Sequence, residues 1–109
     1  MTALELSEKL GLEILKPGEA GREVDSCYIG DLLSWVMGRA KPGCAWITIM
    51  TNINVAAVAS LADVSCVILA EGVSPDEALA GKLSGIDAAV FRTSMTAYEL
   101  AGKIHGLIG

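Results

Sequence analysis

The stretch from Ala45 to Gly72 leaves a chain of this kind few ways to fold. It opens with Ala45-Trp46-Ile47-Thr48-Ile49-Met50, apolar at nearly every position, and passes through the polar turn Thr51-Asn52-Ile53-Asn54. A small-residue segment from Val55 to Ala62 follows, then a second apolar run, Val64 to Leu69, closed by Ala70-Glu71-Gly72. Short continuous apolar runs with a helical length between them predict two parallel strands covered on both faces and a crossover helix, one βαβ unit. The helix is built of Ala, Val, Leu and one Ser, so its axis can lie close to the sheet.

The flanks continue the alternation. Thr2 with Glu5 makes a capping box for a short helix carrying Leu4, Leu6 and Leu10 and ending at Gly11. Leu12 to Leu15 reads as a first short strand, and Lys16-Pro17-Gly18-Glu19-Ala20-Gly21 as a turn. Arg22 to Ile29 alternates imperfectly, which suits a strand near the rim of a sheet. Gly30-Asp31 then begins a helix, with Asp31 expected to cap the amides of Leu33 or Ser34 and with Leu32, Leu33, Val36, Met37 and Ala40 on its inner face. Trp35 falls off that stripe, as a rim residue or an interface anchor.

In the second half, Ser74-Pro75-Asp76-Glu77 is a helix start with Ser74 as the cap; Ala78, Leu79 and Leu83 face the sheet and Gly85 ends the helix. Ile86 to Phe91 is the last strand. Thr96 and Glu99 form a further capping box for a terminal helix made amphipathic by Tyr98, Leu100, Ala101, Ile104 and Leu107, with His105 near its C-terminus. The expected fold is α/β: a single small domain over residues 1–109, a mostly parallel sheet of about four to five strands with helices packed on both faces.

Composition narrows the function. The net charge is −5 and the eight Lys and Arg are scattered, which argues against nucleic acid or an anionic membrane as partner. No apolar run approaches the ~18 residues of a membrane span, and the N-terminus lacks the basic and apolar regions of a signal peptide, so a cytoplasmic location is expected. With 52% apolar residues and few aromatics, the surplus of Ala, Val, Ile and Leu favours a homodimer that covers part of it. Cys27, Cys44 and Cys66 are widely spaced and joined by one His, too few closely set ligands for zinc, so buried structural thiols are expected and no metal or cofactor.

Chemistry, if present, belongs at the carboxyl ends of the strands, where an open parallel sheet places its ligand crevice and its helix N-termini. The candidate ligand-binding residues are Thr51, Asn52 and Asn54 after one strand, Glu71 and Gly72 after the next, and Arg92, Thr93 and Ser94 after the last. Arg92 is suited to a bidentate phosphate contact. Neither Gly-x-Gly-x-x-Gly nor Gly-x-x-x-x-Gly-Lys-Ser/Thr occurs, and no nucleophile is tied to a base by spacing, so no catalytic residue is assigned.

Gly21-Arg22-Glu23-Val24, then Gly30-Asp31-Leu32-Leu33-Ser34 with Val36-Met37, then Trp46-Ile47-Thr48 and Thr51-x-x-Asn54-Val55-x-Ala57-Val58-Ala59, carry a family likeness. With Val67-Ile68-Leu69 and Tyr98-Glu99-Leu100-Ala101-Gly102-Lys103, the chain resembles the stand-alone proteins of the DRTGG domain family over nearly its whole length. It is also distantly similar to the N-terminal domain of bacterial HPr serine kinases. It departs from the motif that names the family: Asn52-Ile53-Asn54 stands in place of Asp-Arg, and Ala70-Glu71-Gly72 in place of Thr-Gly-Gly.

The resemblance implies a regulatory α/β domain, a bacterial accessory protein that self-associates and works beside protein partners with catalytic or nucleotide-sensing modules. The leading expectation is a non-enzymatic regulatory or interaction domain, homodimeric, sensing a small anionic ligand such as a nucleotide or phosphorylated metabolite at the strand ends. One alternative is a catalytic or accessory subunit using Glu71, Arg92 and Thr93 on a phosphorylated substrate. Another is a redox switch through Cys27, Cys44 or Cys66.

Overall fold

The computed structural model describes residues 1–109. The elements run α1 (Ala3–Leu10), β1 (Glu13–Lys16), β2 (Ser26–Ile29), α2 (Leu33–Arg39), β3 (Cys44–Thr48), α3 (Asn54–Leu61), β4 (Cys66–Leu69), α4 (Glu77–Lys82), β5 (Ala89–Arg92) and α5 (Ala97–Ile108). They build a five-stranded sheet in the order β1-β5-β4-β3-β2. β2, β3, β4 and β5 are parallel, and β1 joins β5 antiparallel. No helix is long and apolar enough to cross a membrane.

The central βαβ unit forms as the apolar runs dictate. Every residue of β3 and β4 is buried, because successive side chains point to opposite faces and both faces are covered. One core lies under α2, α3 and α4 and joins Trp46, Val67, Leu69 and Val90 to Val36, Val55, Val58 and Leu79. The other lies under α1 and α5 and joins Ile47, Ile68 and Phe91 to Ala3, Leu6, Leu100 and Ile104. At Trp46 the ring is in the core while its Nε1–H donates to the carbonyl of Gly30 at 2.9 Å, which fixes the exit of β2.

Local chemistry sets the ends of the elements. Thr2 and Glu5 form the full reciprocal capping box of α1, and Gly11 closes that helix at φ 63°. Asp76, not Ser74, caps α4: its Oδ1 accepts from the Leu79 amide at 2.9 Å, and the helix begins after Pro75 rather than at it. β2 is shorter than its apolar alternation implied and begins at Ser26. Asp25 and the residues before it run instead across the amino edge, where Arg22 donates to Asp63 through Nη1 at 2.8 Å and Nη2 at 3.0 Å.

The inner stripe expected for α2 is only partly inside. Val36 is buried and Leu33 and Ala40 are half-buried, but Leu32 and Met37 are exposed together with Trp35. The helix has seven residues and is the last of its layer, so only one side of it meets the sheet and α3.

Gly18, at φ +47°, is the position where a side chain has no room: a Cβ there would lie 2.5 Å from the carbonyl oxygens of Asp87 and Ala88. Gly18→Ala is expected to lower the unfolding free energy by more than about 1 kcal/mol in urea titration. Gly21→Ala, where a Cβ meets nothing within 4 Å, should leave stability within about 1 kcal/mol of the parent.

Candidate functional site

The carboxyl ends of β2 to β5 gather the polar exits at one edge, as the parallel topology requires. What those groups do there is decided by their hydrogen bonds. Asp31 does not cap α2, whose N-cap is Leu32 without a side-chain bond. The Asp31 carboxylate turns to the next strand, where its Oδ1 accepts from Thr48 Oγ1 at 2.8 Å and from the Ile49 amide at 2.9 Å. The amides beyond the end of β3 have no strand partner, so an acceptor on the neighbouring loop satisfies them before the α2 amides are reached.

Thr51, Asn52 and Asn54 form one local turn. Asn52 Oδ1 accepts from the Asn54 amide at 2.9 Å, and the Thr51 carbonyl accepts from the Asp76 amide at 2.9 Å, tying the start of α3 to the start of α4. Asn54 is exposed and is the first residue of α3.

Glu71, Gly72, Arg92 and Thr93 come together as a second, tighter assembly. The Glu71 amide donates to the Met95 carbonyl at 2.8 Å and the Gly72 amide to the Thr93 carbonyl at 2.9 Å. Arg92 donates through Nε to the Val73 carbonyl at 2.9 Å, through Nη2 to the Gly72 carbonyl at 2.8 Å, and through Nη1 to Glu13 Oε2 at 2.9 Å. Its guanidinium is therefore spent on the β4–α4 turn and on the edge strand β1. Glu71 adopts φ 62°, which is uncommon outside glycine, and its Oε2 accepts from the Ala97 amide at 3.3 Å at the start of α5. Thr93 Oγ1 accepts from the Met95 amide, and Ser94 is exposed beside it.

The two assemblies share the edge, and none of their candidate residues lines a cavity. The cavities lie elsewhere. A groove of about 380 Å³ runs between β2 and α5, with Asp25, Cys27, Ile29, Ile104, His105 and Ile108 among its walls. A polar recess of about 240 Å³ at the amino edge is lined by Glu19, Arg22, Asp63 and Asp87; there the Arg22 guanidinium holds the Asp63 carboxyl below the usual carboxylate range. A third opening lies between α1 and α5, beside Lys9 and Lys103. The groove beside β2 escaped the sequence reading because it joins residues about 80 positions apart, and only the outward alternation of Cys27 and Ile29 hints at it.

The thiols occupy three adjacent strands without facing one another. Cys27 and Cys66 flank Ala45 in register, two strand spacings apart, roughly 9–10 Å. Cys44 belongs to the opposite core from Cys66. No pair meets disulfide geometry, which needs Cα atoms within ~7 Å and converging Cβ directions. Cys44 and Cys66 are buried as expected, whereas Cys27, on the rim strand, is exposed; desolvation pushes the Cys44 thiol up to about 11, with Asp25 adding to the shift, and pushes Cys66 up further.

Two measurements follow from this chemistry. Arg92→Lys replaces a planar three-way donor with a point charge that cannot serve Gly72, Val73 and Glu13 together, and should cost about 1–3 kcal/mol in urea unfolding. Folded thiols keep their protons above pH 9, where the unfolded chain releases its own. Stability is therefore expected to fall as pH rises from about 9 through 11, and the fall should shrink in Cys44→Ala. Comparison with protein-family models and with curated proteins finds no match to this chain.

Proposed function

We propose that this protein is a non-enzymatic regulatory or interaction domain that self-associates through the outer side of α2. The observation that carries the reading is the exposure of Leu32 and Trp35, three residues apart on the side of α2 turned away from the core, at 57% and 51%. Trp35 is held in place rather than loose: the Arg39 guanidinium one turn on stacks over its ring, 3.6 Å from the centroid. An oriented indole beside Leu32 and an arginine has the composition of an interface centre, where Trp and Arg are enriched. The sequence resemblance to DRTGG domain proteins supports a regulatory role of this kind.

A small anion at the carboxyl edge is less well supported, because the helices that open there are supplied from within the chain. Asn52 meets an α3 amide, Asp76 an α4 amide, and Thr96 and Glu71 the α5 amides. Arg92, the one cation among the candidate residues, already has acceptors at Nε, Nη1 and Nη2. A catalytic reading on Glu71, Arg92 and Thr93 meets the same difficulty.

Size-exclusion chromatography with light scattering at micromolar concentration tests the proposal. The parent chain is expected to run as a dimer, and Trp35→Ala combined with Leu32→Glu to run as a monomer with unchanged circular dichroism, a loss of about 2 kcal/mol or more of association energy. A parent that stays monomeric at these concentrations removes the self-association.

A further inference from the structure

The helix that carries Leu32 and Trp35 is short and uncapped. α2 has seven residues, no side chain bonds to its first amides, and Val36 is its one buried residue, with Leu33 half-buried beside it. Asp31 stands just before the N-cap, and its carboxylate goes to β3 instead of to the helix. A single atom, Oδ1, accepts both the Thr48 hydroxyl at 2.8 Å and the Ile49 amide at 2.9 Å. Gly30 is tied to the same strand: its amide donates to the Ile47 carbonyl at 3.2 Å, and its carbonyl accepts from Trp46 Nε1 at 2.9 Å.

From this clamp to the exposed face the path is short. Leu32 follows Asp31 directly, and its carbonyl accepts from the Trp35 amide at 2.9 Å and the Val36 amide at 3.1 Å. The placement of Trp35 thus depends on Leu32, and that of Leu32 on Asp31. Packing of Val36 and Leu33 holds the inner side of the helix but leaves its direction free to swing. A second fixed point at the amino end removes that freedom.

We propose that Asp31 is a positioning residue of the α2 self-association surface: by holding Thr48 and Ile49 it sets the direction of α2 and presents Leu32 and Trp35 to the second copy in one arrangement. The inference rests on the self-association reading and deepens it by naming the residue that sets the geometry of the surface. A surface already ordered before association loses less freedom on binding. The role belongs to one placed oxygen rather than to the charge, because both donors use Oδ1, and an asparagine offers the same acceptor.

Sedimentation equilibrium of the full chain tests this. Asp31→Ala is expected to raise the dimer dissociation constant about tenfold or more, and Asp31→Asn to restore it to within about threefold of the parent. Asp31 is exposed, so the alanine variant should fold. Asp31→Glu, whose oxygen lies one methylene further out, serves as a second variant with the same expected weakening. Residual dipolar couplings give a readout that a merely stabilising bond would not move. In the monomeric Leu32→Glu, Trp35→Ala background the α2 amides should fit the alignment of the sheet, and adding Asp31→Ala should break that fit while β3 and β4 keep theirs. Dimerisation of Asp31→Ala as tight as the parent's, failure of Asp31→Asn to rescue, or α2 couplings unchanged by Asp31→Ala would each overturn the proposal. A parent that stays monomeric removes the self-association reading and this inference with it, whereas a dimeric parent matched by Asp31→Ala removes the inference alone.

Discussion

Burial of β3 and β4 on both faces is the constraint from which the rest of the architecture follows. A strand with no solvent-facing side must have helices above and below it and a hydrogen-bonded strand on either flank, because a buried unpaired amide or carbonyl is costly. Trp46 and Leu69 on one face and Ile47 and Ile68 on the other divide the core into two layers of comparable content. Each layer then needs its own helices, and the short chain supplies them from different parts of its length. α2, α3 and α4 come from successive crossovers, whereas α1 and α5 come from the two ends.

The crossover helices bring their amino ends to one edge, and this protein resolves the resulting electrostatics internally. Asp31, Asn52, Asp76, Glu71 and Thr96 distribute acceptors among the exits, and Arg92 binds the carbonyls that are left. The edge where an open α/β sheet commonly holds a ligand is thus stitched to itself. The features that remain unsatisfied lie at right angles to it, on the β2 side of the molecule: the outer face of α2, the unpaired flank of β2, and the groove against α5.

That division explains what the sequence could and could not disclose. The caps Thr2 and Thr96 and the Gly11 stop are local signals that formed where their residues placed them, and β3 and β4 formed within their apolar runs, β3 ending two residues earlier at Thr48 and β4 beginning two residues later at Cys66. The rim position of β2 was readable from its imperfect alternation. Ser74 was misread because Asp76, two residues on, holds the cap position of α4; Asp31 has the right chemistry for a cap, but its acceptor goes to the unpaired amide that geometry brings nearest. For Asp31 that amide belongs to Ile49, on another strand. Arg92 had the chemistry for a phosphate, but its nearest acceptors turned out to be two carbonyls and Glu13, 79 residues away. The groove between β2 and α5 depends wholly on contacts that periodicity does not encode.

The antiparallel strand β1 carries a consequence for how the molecule comes into being. Its only partner is β5, so a strand near the start of the chain has nothing to pair with until residues close to the end exist. On the ribosome the parallel unit from β2 to β4 can collapse first, while α1 and β1 wait for β5 and α5 to emerge and close the second layer. The Arg92–Glu13 ion pair and the β1–β5 ladder are then among the last contacts made, a clasp between early and late chain. A protein of this size with such a late clasp folds more slowly than its short helices suggest.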